Sequence, residues 1–401
     1  MHMKKNVAVA SVHLKMNYGS MLQSLALQKA LNKLNVDNEI IDMTLLSKDI
    51  AKKRAAFYLS QMFNASFIKA KYGKIKFELL KKIVLAKQMD EIEKRERRFN
   101  DFKKGFVLSK QYETLDELRE SCGVYSDVIV GSDQLWLPIN IAGDYYTLNF
   151  VPDQINKISY GTSFGVSGIP EKYIGRYRHF LNRIDHLSVR EESGKGIISD
   201  LTGRDAEIVC DPTLLFDKTA WEEIIPVQEI IDDKYIFCYF LGGNINHRKF
   251  AENLKEKTGL PIVSLIHMEE YYRHDNTFAD YTPYDIGPFE FVNLIRGAEY
   301  VCTDSYHGSI FSAIHEKEFY TFKRFSDDSA MSTNTRISSL LNFMNIEGRY
   351  LSGTEDTAEK LGKAIDYGDV NKNLLEIRKK SYAFLINALG IESGLTHDKH
   401  C

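Results

Sequence analysis

The residues best placed for chemistry follow an apolar stretch that begins at Tyr300: Thr303, Asp304, Ser305 and His307. A segment with helical spacing starts directly after them. In an α/β fold, this order places a histidine and hydroxyls at the carboxyl end of a strand, beside a helix N-terminus, where anionic ligands bind. An imidazole can also carry a proton near neutral pH. His307 is therefore the first candidate for catalysis, and the alternative is that it only caps the helix.

The elements that must position these residues follow an alternating pattern. Short apolar stretches alternate with helical patterns, which is typical of a parallel-sheet α/β architecture, and a fresh series of strands begins at Tyr235. Two successive series predict two Rossmann-like domains that face one another across a cleft. The first is expected at residues 1–220 and the second at 221–370. Residues 371–401 are predicted to form a helix that crosses back to the first domain, and a tail.

Composition limits the classes of function. A chain of 401 residues exceeds the size at which one core keeps growing, and 44% hydrophobic with 27% charged residues is ordinary for a globular protein. A formal net charge of −3 argues against a general nucleic-acid binder. The five cysteines are scattered, and neither they nor the histidines show the spacing of a metal site or a disulfide framework. No metal is therefore expected.

A basic segment interrupts the first series of strands. Residues 52–104 hold sixteen Lys and Arg against six Asp and Glu, interleaved with apolar residues, and we expect a helical insertion at about 45–120. One interpretation is contact with an anionic membrane surface or a lipid-linked acceptor. The other is a helical excursion with a solvated charged face. The apolar run after residue 5 is too short for a signal peptide or a membrane span, so a cytoplasmic location is expected, either free or at the inner face of the membrane.

Seven short motifs occur along the chain in a characteristic order. They are NYGSMLQ at 17–23, GSDQLW at 131–136, SYGTSFG at 159–165, SVREES at 188–193, DPT at 211–213, DSYHG at 304–308 and NTRI at 334–337. Together they resemble the polysaccharide pyruvyl transferase family, from about residue 7 to residue 345. The resemblance implies a GT-B-like architecture, no cofactor, and transfer of pyruvate from phosphoenolpyruvate to two sugar hydroxyls. The product is a ketal, and the implied context is bacterial capsular or exopolysaccharide biosynthesis.

Phosphoenolpyruvate would need fixed cations, and arginine binds carboxylate and phosphate groups with two parallel hydrogen bonds. Arg190 ends an apolar strand, Arg336 precedes a helix, and Lys323 follows another apolar run. The chain departs from the resemblance at Ser305, since ketal-forming members of the family carry arginine two residues before the histidine. Either Arg336 or Lys323 supplies the missing charge, with Ser305 at the donor site, or the donor is a different molecule.

The reaction that the resemblance implies needs proton transfer, because C3 of phosphoenolpyruvate gains a proton while C2 becomes electron-poor. His307 is the candidate proton carrier. Asp304 is expected to orient His307 or bind substrate. Asp133 follows a strand and is the second candidate base, with an N-cap as its alternative role. Asp211, in the DPT motif, is interpreted as a structural turn.

The acceptor side is assigned to an aromatic ring and a loop. Trp136 stands close to Asp133, and an aromatic ring beside a carboxylate commonly binds a sugar by stacking and paired hydrogen bonds. Asn17, Tyr18 and Gly19 follow the first strand, where a glycine permits close approach of the backbone to a ligand. A glycan or a lipid-linked oligosaccharide is the expected acceptor, and the oligomeric state is left open.

Two other functions compete with this one. The first is a GT-B-like glycosyltransferase that uses a nucleotide sugar, although the second half shows no GxGxxG fingerprint. The second is a non-catalytic component of glycan assembly that docks through the basic segment. Loss of glycan pyruvylation on replacement of His307 and Arg190 would separate the enzyme from both.

Overall fold

The strands of this protein are short and apolar, and several are buried along their whole length. In the computed structural model, which describes residues 5–60, 89–166, 168–266, 272, 274–325 and 334–392, every residue of Asp127–Val130 and of Ile236–Tyr239 is buried. Strands that are covered on both faces favour a parallel sheet between layers of helices. Both sheets of the molecule have this form.

The first sheet has five parallel strands in the order β3-β2-β1-β4-β5. Its strands are β1 (Asn6–Ala10), β2 (Asp37–Asp42), β3 (Leu108–Gln111), β4 (Asp127–Val130) and β5 (Asn156–Ser159). A parallel pair, β6 (Ser188–Val189) and β7 (Glu207–Ile208), continues the sheet beyond β5 through a bridge between Ile158 and His186. The helices of this half are α1 (Tyr18–Lys33), α2 (Leu46–Ser60), α3 (Met89–Lys103), α4 (Leu115–Ser121), α5 (Pro138–Ile141), α6 (Ile174–Arg183) and α7 (Glu192–Thr202).

The second sheet also has five parallel strands, in the order β12-β11-β10-β8-β9. Its strands are β8 (Ile236–Tyr239), β9 (Ile262–Ser264), β10 (Tyr300–Thr303), β11 (Glu318–Phe322) and β12 (Tyr350–Leu351). The helices of this half are α8 (Lys218–Ile224), α9 (Ile245–Thr258), α10 (Asp275–Phe278), α11 (Pro288–Gly297), α12 (Tyr306–Ile314), α13 (Asn334–Phe343) and α14 (Thr357–Leu361). Two parallel sheets with interleaved helices confirm the predicted α/β class and its two Rossmann-like domains.

The last helix, α15 (Tyr367–Leu389), returns to residues of the first half. Arg378 donates to the carbonyl oxygen of Leu214, the Ser381 hydroxyl accepts the Cys210 N–H, and Asn156 donates to the carbonyl oxygen of Ala388. These hydrogen bonds join the carboxyl-terminal helix to the segment that links the two sheets and to the start of β5.

The basic segment is only partly described by the structure. The predicted helical insertion at about 45–120 contains α3 and α4, but it also contains a strand that was not predicted, since β3 pairs with β2 as the edge strand of the first sheet. Much of the remaining insertion, residues 61–88, lies outside the described residues. Within the described ranges, no helix is both long and apolar enough to cross a bilayer.

Helix α3, from this basic segment, packs against the second domain. Arg95 is fully buried and donates hydrogen bonds of 2.8, 3.1 and 3.1 Å to the main-chain oxygens of Ile266, Tyr284 and Pro283. Arg98 pairs with Asp285 at 2.7 Å. On α3, therefore, two of the basic residues join the two domains, which is a structural role that neither interpretation of the sequence considered.

Candidate active site

A polar cavity of about 220 Å³ lies where the carboxyl ends of strands from both sheets meet. We call it the polar chamber. The loop after β1, the loop after β4 and the start of α12 all contribute to it, as expected for a ligand site in an α/β fold. Its wall includes the side chains of Asn17, Ser20, Asp133, Ser305, His307 and Arg336.

His307 is held at this position by its helix and by a close approach of the backbone opposite. Ser305 is the N-cap of α12, and its hydroxyl accepts the Gly308 N–H at 3.3 Å. Gly19, in α1 of the first domain, packs directly on the imidazole ring, since a Cβ at position 19 would lie 2.1 Å from His307 Nδ1. Only glycine leaves room for the ring there. Asn17 is the N-cap of α1, and its side chain accepts the Ser20 N–H at 3.0 Å.

Asp211 is the carboxylate that faces His307, and the sequence interpretation missed this role. Its Oδ2 lies 3.5 Å from His307 Nε2, which is longer than a normal hydrogen bond, and 2.5 Å from Arg190 Nη1. Its Oδ1 accepts from the N–H and hydroxyl of Thr213. Burial alone would raise the pKa of Asp211, but His307, Arg190 and the Thr213 N–H outweigh it and hold the pKa well below its ordinary value.

Asp133 is the second carboxylate of the site. It adopts φ +84°, a left-handed conformation that costs a non-glycine residue roughly 1–3 kcal/mol and that clusters at functional sites. The Ser20 hydroxyl donates to Oδ2 at 2.7 Å, and the Gln134 N–H donates to Oδ1 at 2.8 Å. Desolvation would raise the pKa of Asp133, but Arg190, His307 and Arg336 lower it overall, so the carboxylate is ionised near neutral pH.

Arg190 and Arg336 converge on the ring of Tyr306. Their guanidinium carbons lie 4.7 and 5.5 Å from the ring centroid, within the range of a cation–π contact. Burial and the like charge of Arg190 lower the pKa of Arg336 to about 10. Burial also opposes the charge of Arg190, yet the acidic groups around it, Asp211 among them, raise its pKa above the ordinary value. Arg336 lies inside α13 rather than before a helix as predicted.

A second cavity, of about 280 Å³, lies on the other side of Tyr306 and Arg336. Apolar side chains form most of its wall, so we call it the apolar chamber. Arg190 and Asp211 line this chamber and not the polar one, whereas Tyr306 and Arg336 line both. The predicted donor-binding arginines are thus together, and they stand at the junction of the two cavities.

Two residues predicted at the acceptor site are buried elsewhere. Trp136 is fully buried, donates through Nε1 to the carbonyl oxygen of Tyr146 at 3.1 Å, and packs against Phe164. Tyr18 stacks on Phe291 of the second domain. Its hydroxyl donates across the domains to the carbonyl oxygen of residue 286 at 3.0 Å. Both rings are therefore structural, and neither lines a chamber.

Two residues predicted for catalysis and donor binding also have other roles. Both oxygens of Asp304 accept main-chain N–H groups, from Leu241 at 2.6 Å and Gly242 at 2.8 Å. Asp304 therefore holds the loop after β8 and does not orient His307. The Lys323 ammonium lies over the ring of Tyr350, 5.7 Å from its centroid, and lines neither chamber. Arg336 is thus the better replacement for the arginine that is missing at Ser305.

A further arginine contributes positive charge to the polar chamber. Arg324, which follows β11, lines the polar chamber together with Lys15. Among the residues that the structure describes, no three His, Cys, Asp or Glu side chains converge as metal ligands would.

The sequence already held a signal that could have identified Asp211 as a site residue. Asp211 belongs to one of the seven ordered motifs, and a buried turn can also carry a charge.

Several solved structures are similar to this protein in fold. Structures of similar fold include UDP-GlcNAc 2-epimerase from Methanocaldococcus jannaschii in complex with UDP-GlcNAc and UDP (14% identity, 96% of this chain and 99% of that chain covered, TM-score 0.50). UDP-N-acetylglucosamine 2-epimerase from Rickettsia bellii (11%, 97% and 98%, TM-score 0.51) and S. aureus MnaA with UDP (11%, 99% and 100%, TM-score 0.52) are others. At this identity the likeness shows the fold alone, which is the predicted GT-B type. No curated protein sequence matches the chain.

The sequence model of one family covers most of the chain. It is described as polysaccharide pyruvyl transferase and matches residues 17–324, from the N-cap of α1 to Arg324. Gly19, Asp133, Arg190, Asp211 and His307 all lie within that range. The chain therefore belongs to the polysaccharide pyruvyl transferase family.

Proposed function

We propose that this protein is an enzyme that transfers pyruvate from phosphoenolpyruvate to two hydroxyls of a sugar, forming a ketal and releasing phosphate. The observation that carries the proposal is the pair of buried guanidinium groups, Arg190 and Arg336, beside a histidine at the carboxyl ends of the strands. Membership of the family supports it.

The two arginines need an anion. Arg190 has one carboxylate partner, Asp211, and in the described part of the chain no acceptor reaches Arg190 Nε, Arg190 Nη2 or Arg336 Nε. Buried, unpaired donors of a charged group are costly, and like charges beside one another add to the cost. A ligand with a carboxylate and a phosphate would satisfy these donors with charge-assisted hydrogen bonds. Phosphoenolpyruvate carries both groups.

The proton transfers that this reaction needs can also be assigned to residues of the site. C3 of phosphoenolpyruvate must accept a proton as C2 becomes oxocarbenium-like and is attacked by a sugar hydroxyl. Phosphate then leaves, and the second hydroxyl closes the ketal. Of the two hydroxyl protons, one ends on C3 and the other leaves with phosphate. His307 is the group that can carry them near neutral pH. The Asp211 carboxylate faces its Nε2 atom at 3.5 Å.

Asp133 stands on the side of the polar chamber that would hold the sugar. The carboxylate is ionised and already accepts from Ser20, so it can accept a sugar hydroxyl proton or hold the hydroxyl for attack. Asn17, on the same wall, adds an amide. We extend the proposal to a capsular or exopolysaccharide precursor as acceptor, free or lipid-linked, in the bacterial cytoplasm.

The test is release of phosphate from phosphoenolpyruvate by the purified protein with a panel of sugar acceptors. His307→Ala and Arg190→Ala should each lower the rate at least a hundredfold, the loss expected when a general acid–base group or a charge clamp is removed. His179→Ala and Arg178→Ala, at exposed positions on α6, are the matched controls and should retain the rate.

A binding comparison distinguishes the main rival. Phosphoenolpyruvate should bind the protein, and the Arg190→Ala variant should bind it more weakly. If UDP-sugars bind instead and phosphoenolpyruvate does not, the proposal is refuted and a nucleotide-sugar transferase takes its place. Full pyruvylation of the glycan in cells that carry only the His307→Ala protein would also refute it.

A further inference from the structure

The two chambers differ in chemistry. The wall of the polar chamber carries amides, hydroxyls and a carboxylate from Asn17, Ser20, Asp133 and Asn140, and it also carries the cations Lys15 and Arg324. Sugar hydroxyls are both donors and acceptors, so they need such a mixed wall. The apolar chamber instead presents carbon side chains, those of Val209, Leu214, Leu340, Phe343 and Ile377. A sugar in the apolar chamber would leave its hydroxyls without partners, which is unfavourable.

The buried cations of the apolar chamber lie together at the ring of Tyr306. Arg190 and Arg336 stand there, both more than nine-tenths buried. Asp211, a carboxylate of the same wall, is already bound by Arg190 and Thr213. Glu192, the other acidic residue of the wall, is exposed to solvent. The chamber therefore suits a small ligand with strong negative charge at one end and carbon at the other.

We propose that the two chambers divide the substrates: phosphoenolpyruvate occupies the apolar chamber and the sugar occupies the polar chamber. This inference rests on the proposed function. The carboxylate and phosphate of the donor meet Arg190 and Arg336, while its methylene carbon faces the carbon side chains. The two substrates meet at Tyr306 and Arg336, the residues that line both cavities.

The position of His307 agrees with this division. Its ring forms a T-shaped contact with the ring of Tyr306, with 5.3 Å between the ring centroids, and it lines the polar chamber. Its Nε2 lies 3.5 Å from Asp211, which lines the apolar chamber. The proton carrier is thus within reach of both substrates, as transfer of a hydroxyl proton to the donor carbon requires.

Plugging each chamber separately tests the division. Ser339 lies half-buried on α13 in the wall of the apolar chamber, and Leu137 lies half-buried in the wall of the polar chamber. Ser339→Trp should weaken binding of phosphoenolpyruvate at least tenfold. Leu137→Trp should change that affinity less than twofold while abolishing transfer to the sugar. Affinity for phosphoenolpyruvate is measured by titration calorimetry of the purified full chain.

A second variant of the apolar chamber keeps the test valid if Ser339→Trp does not fold. Asn342→Trp, at an exposed position in the wall of the apolar chamber, should also weaken phosphoenolpyruvate binding. The opposite pattern, with the donor lost in Leu137→Trp and kept in the two α13 variants, overturns the division and leaves the proposed function intact. Absence of phosphoenolpyruvate binding by the unmodified protein would overturn both.

Discussion

Replacement of Gly19 by alanine should disable the enzyme without unfolding it. The added Cβ would lie 2.1 Å from Nδ1 and 2.4 Å from Cγ of His307, whereas an ordinary contact begins at 3.4 Å. The imidazole ring must therefore withdraw by about 1 Å, a misplacement that can cost on the order of a hundredfold in rate. Because Gly19 lies within α1, alanine also gains about 0.5–1 kcal/mol of helix propensity, which offsets part of the steric cost.

A matched glycine provides the control. Gly196 lies within α7, and a Cβ there would meet no atom within 4 Å. Gly196→Ala should keep full activity and raise the thermal midpoint slightly, since only the propensity gain remains. Phosphate release from phosphoenolpyruvate and thermal unfolding are measured for both variants. A Gly19→Ala protein that keeps the unmodified rate would refute the close packing of α1 on His307 and, with it, the argument that the first domain positions the catalytic ring.

Three further substitutions probe the charges and the core. Arg190→Lys keeps a charge but loses the planar fork, so phosphoenolpyruvate should bind at least tenfold more weakly by calorimetry; unchanged affinity would remove Arg190 from the donor site. Asp211→Asn should cost about 3 kcal/mol in urea unfolding at neutral pH, because it leaves Arg190 buried without its partner. The pKa of Asp211 is lowered in the folded state, so its ionised form stabilises the fold above about pH 4, and this stabilisation is lost as the pH falls below that value. The difference in unfolding free energy between the unmodified protein and Asp211→Asn should therefore shrink in acid. A difference that stays constant with pH would contradict the charge argument. Trp136→Phe should cost about 1–3 kcal/mol through the lost bond to Tyr146 and leave the KM of the sugar unchanged, whereas a raised KM would restore Trp136 to the acceptor site.

The sequence predicted the elements of the site better than the directions of its side chains. The position of His307 in the first turn of α12, shortly after β10, followed from an apolar stretch, polar residues and helical spacing. Trp136 and Asp133 are three residues apart, yet the ring faces the core and the carboxylate faces the chamber. The positive φ of Asp133 turns the chain between them, and no local pattern indicates that turn. Residues close in sequence were therefore assigned one environment where the structure has two.

The sequence did not predict which residues make contacts between the two domains. Asp211 reads as a turn, and it is one, since it caps the short helix Pro212–Leu215. That it also faces His307 depends on a second domain almost a hundred residues further along the chain. The edge strand β3 was missed for a different reason. Only four residues long and partly exposed, it lies within a charged stretch whose composition favoured a helix.

Arg95 joins the domains through acceptors that belong to the main chain. Because every residue type offers the same carbonyl oxygen, side chains at positions 266 and 283 can be exchanged without removing a hydrogen-bond partner of the guanidinium. Tyr284 is different, since its ring centroid also lies 5.5 Å from the guanidinium carbon of Arg95. Substitutions on this surface of the second domain can therefore leave the packing of α3 against it unchanged. Variants at positions 266 and 283 should therefore change the exterior of the second domain while the alignment of Gly19 with His307 is kept.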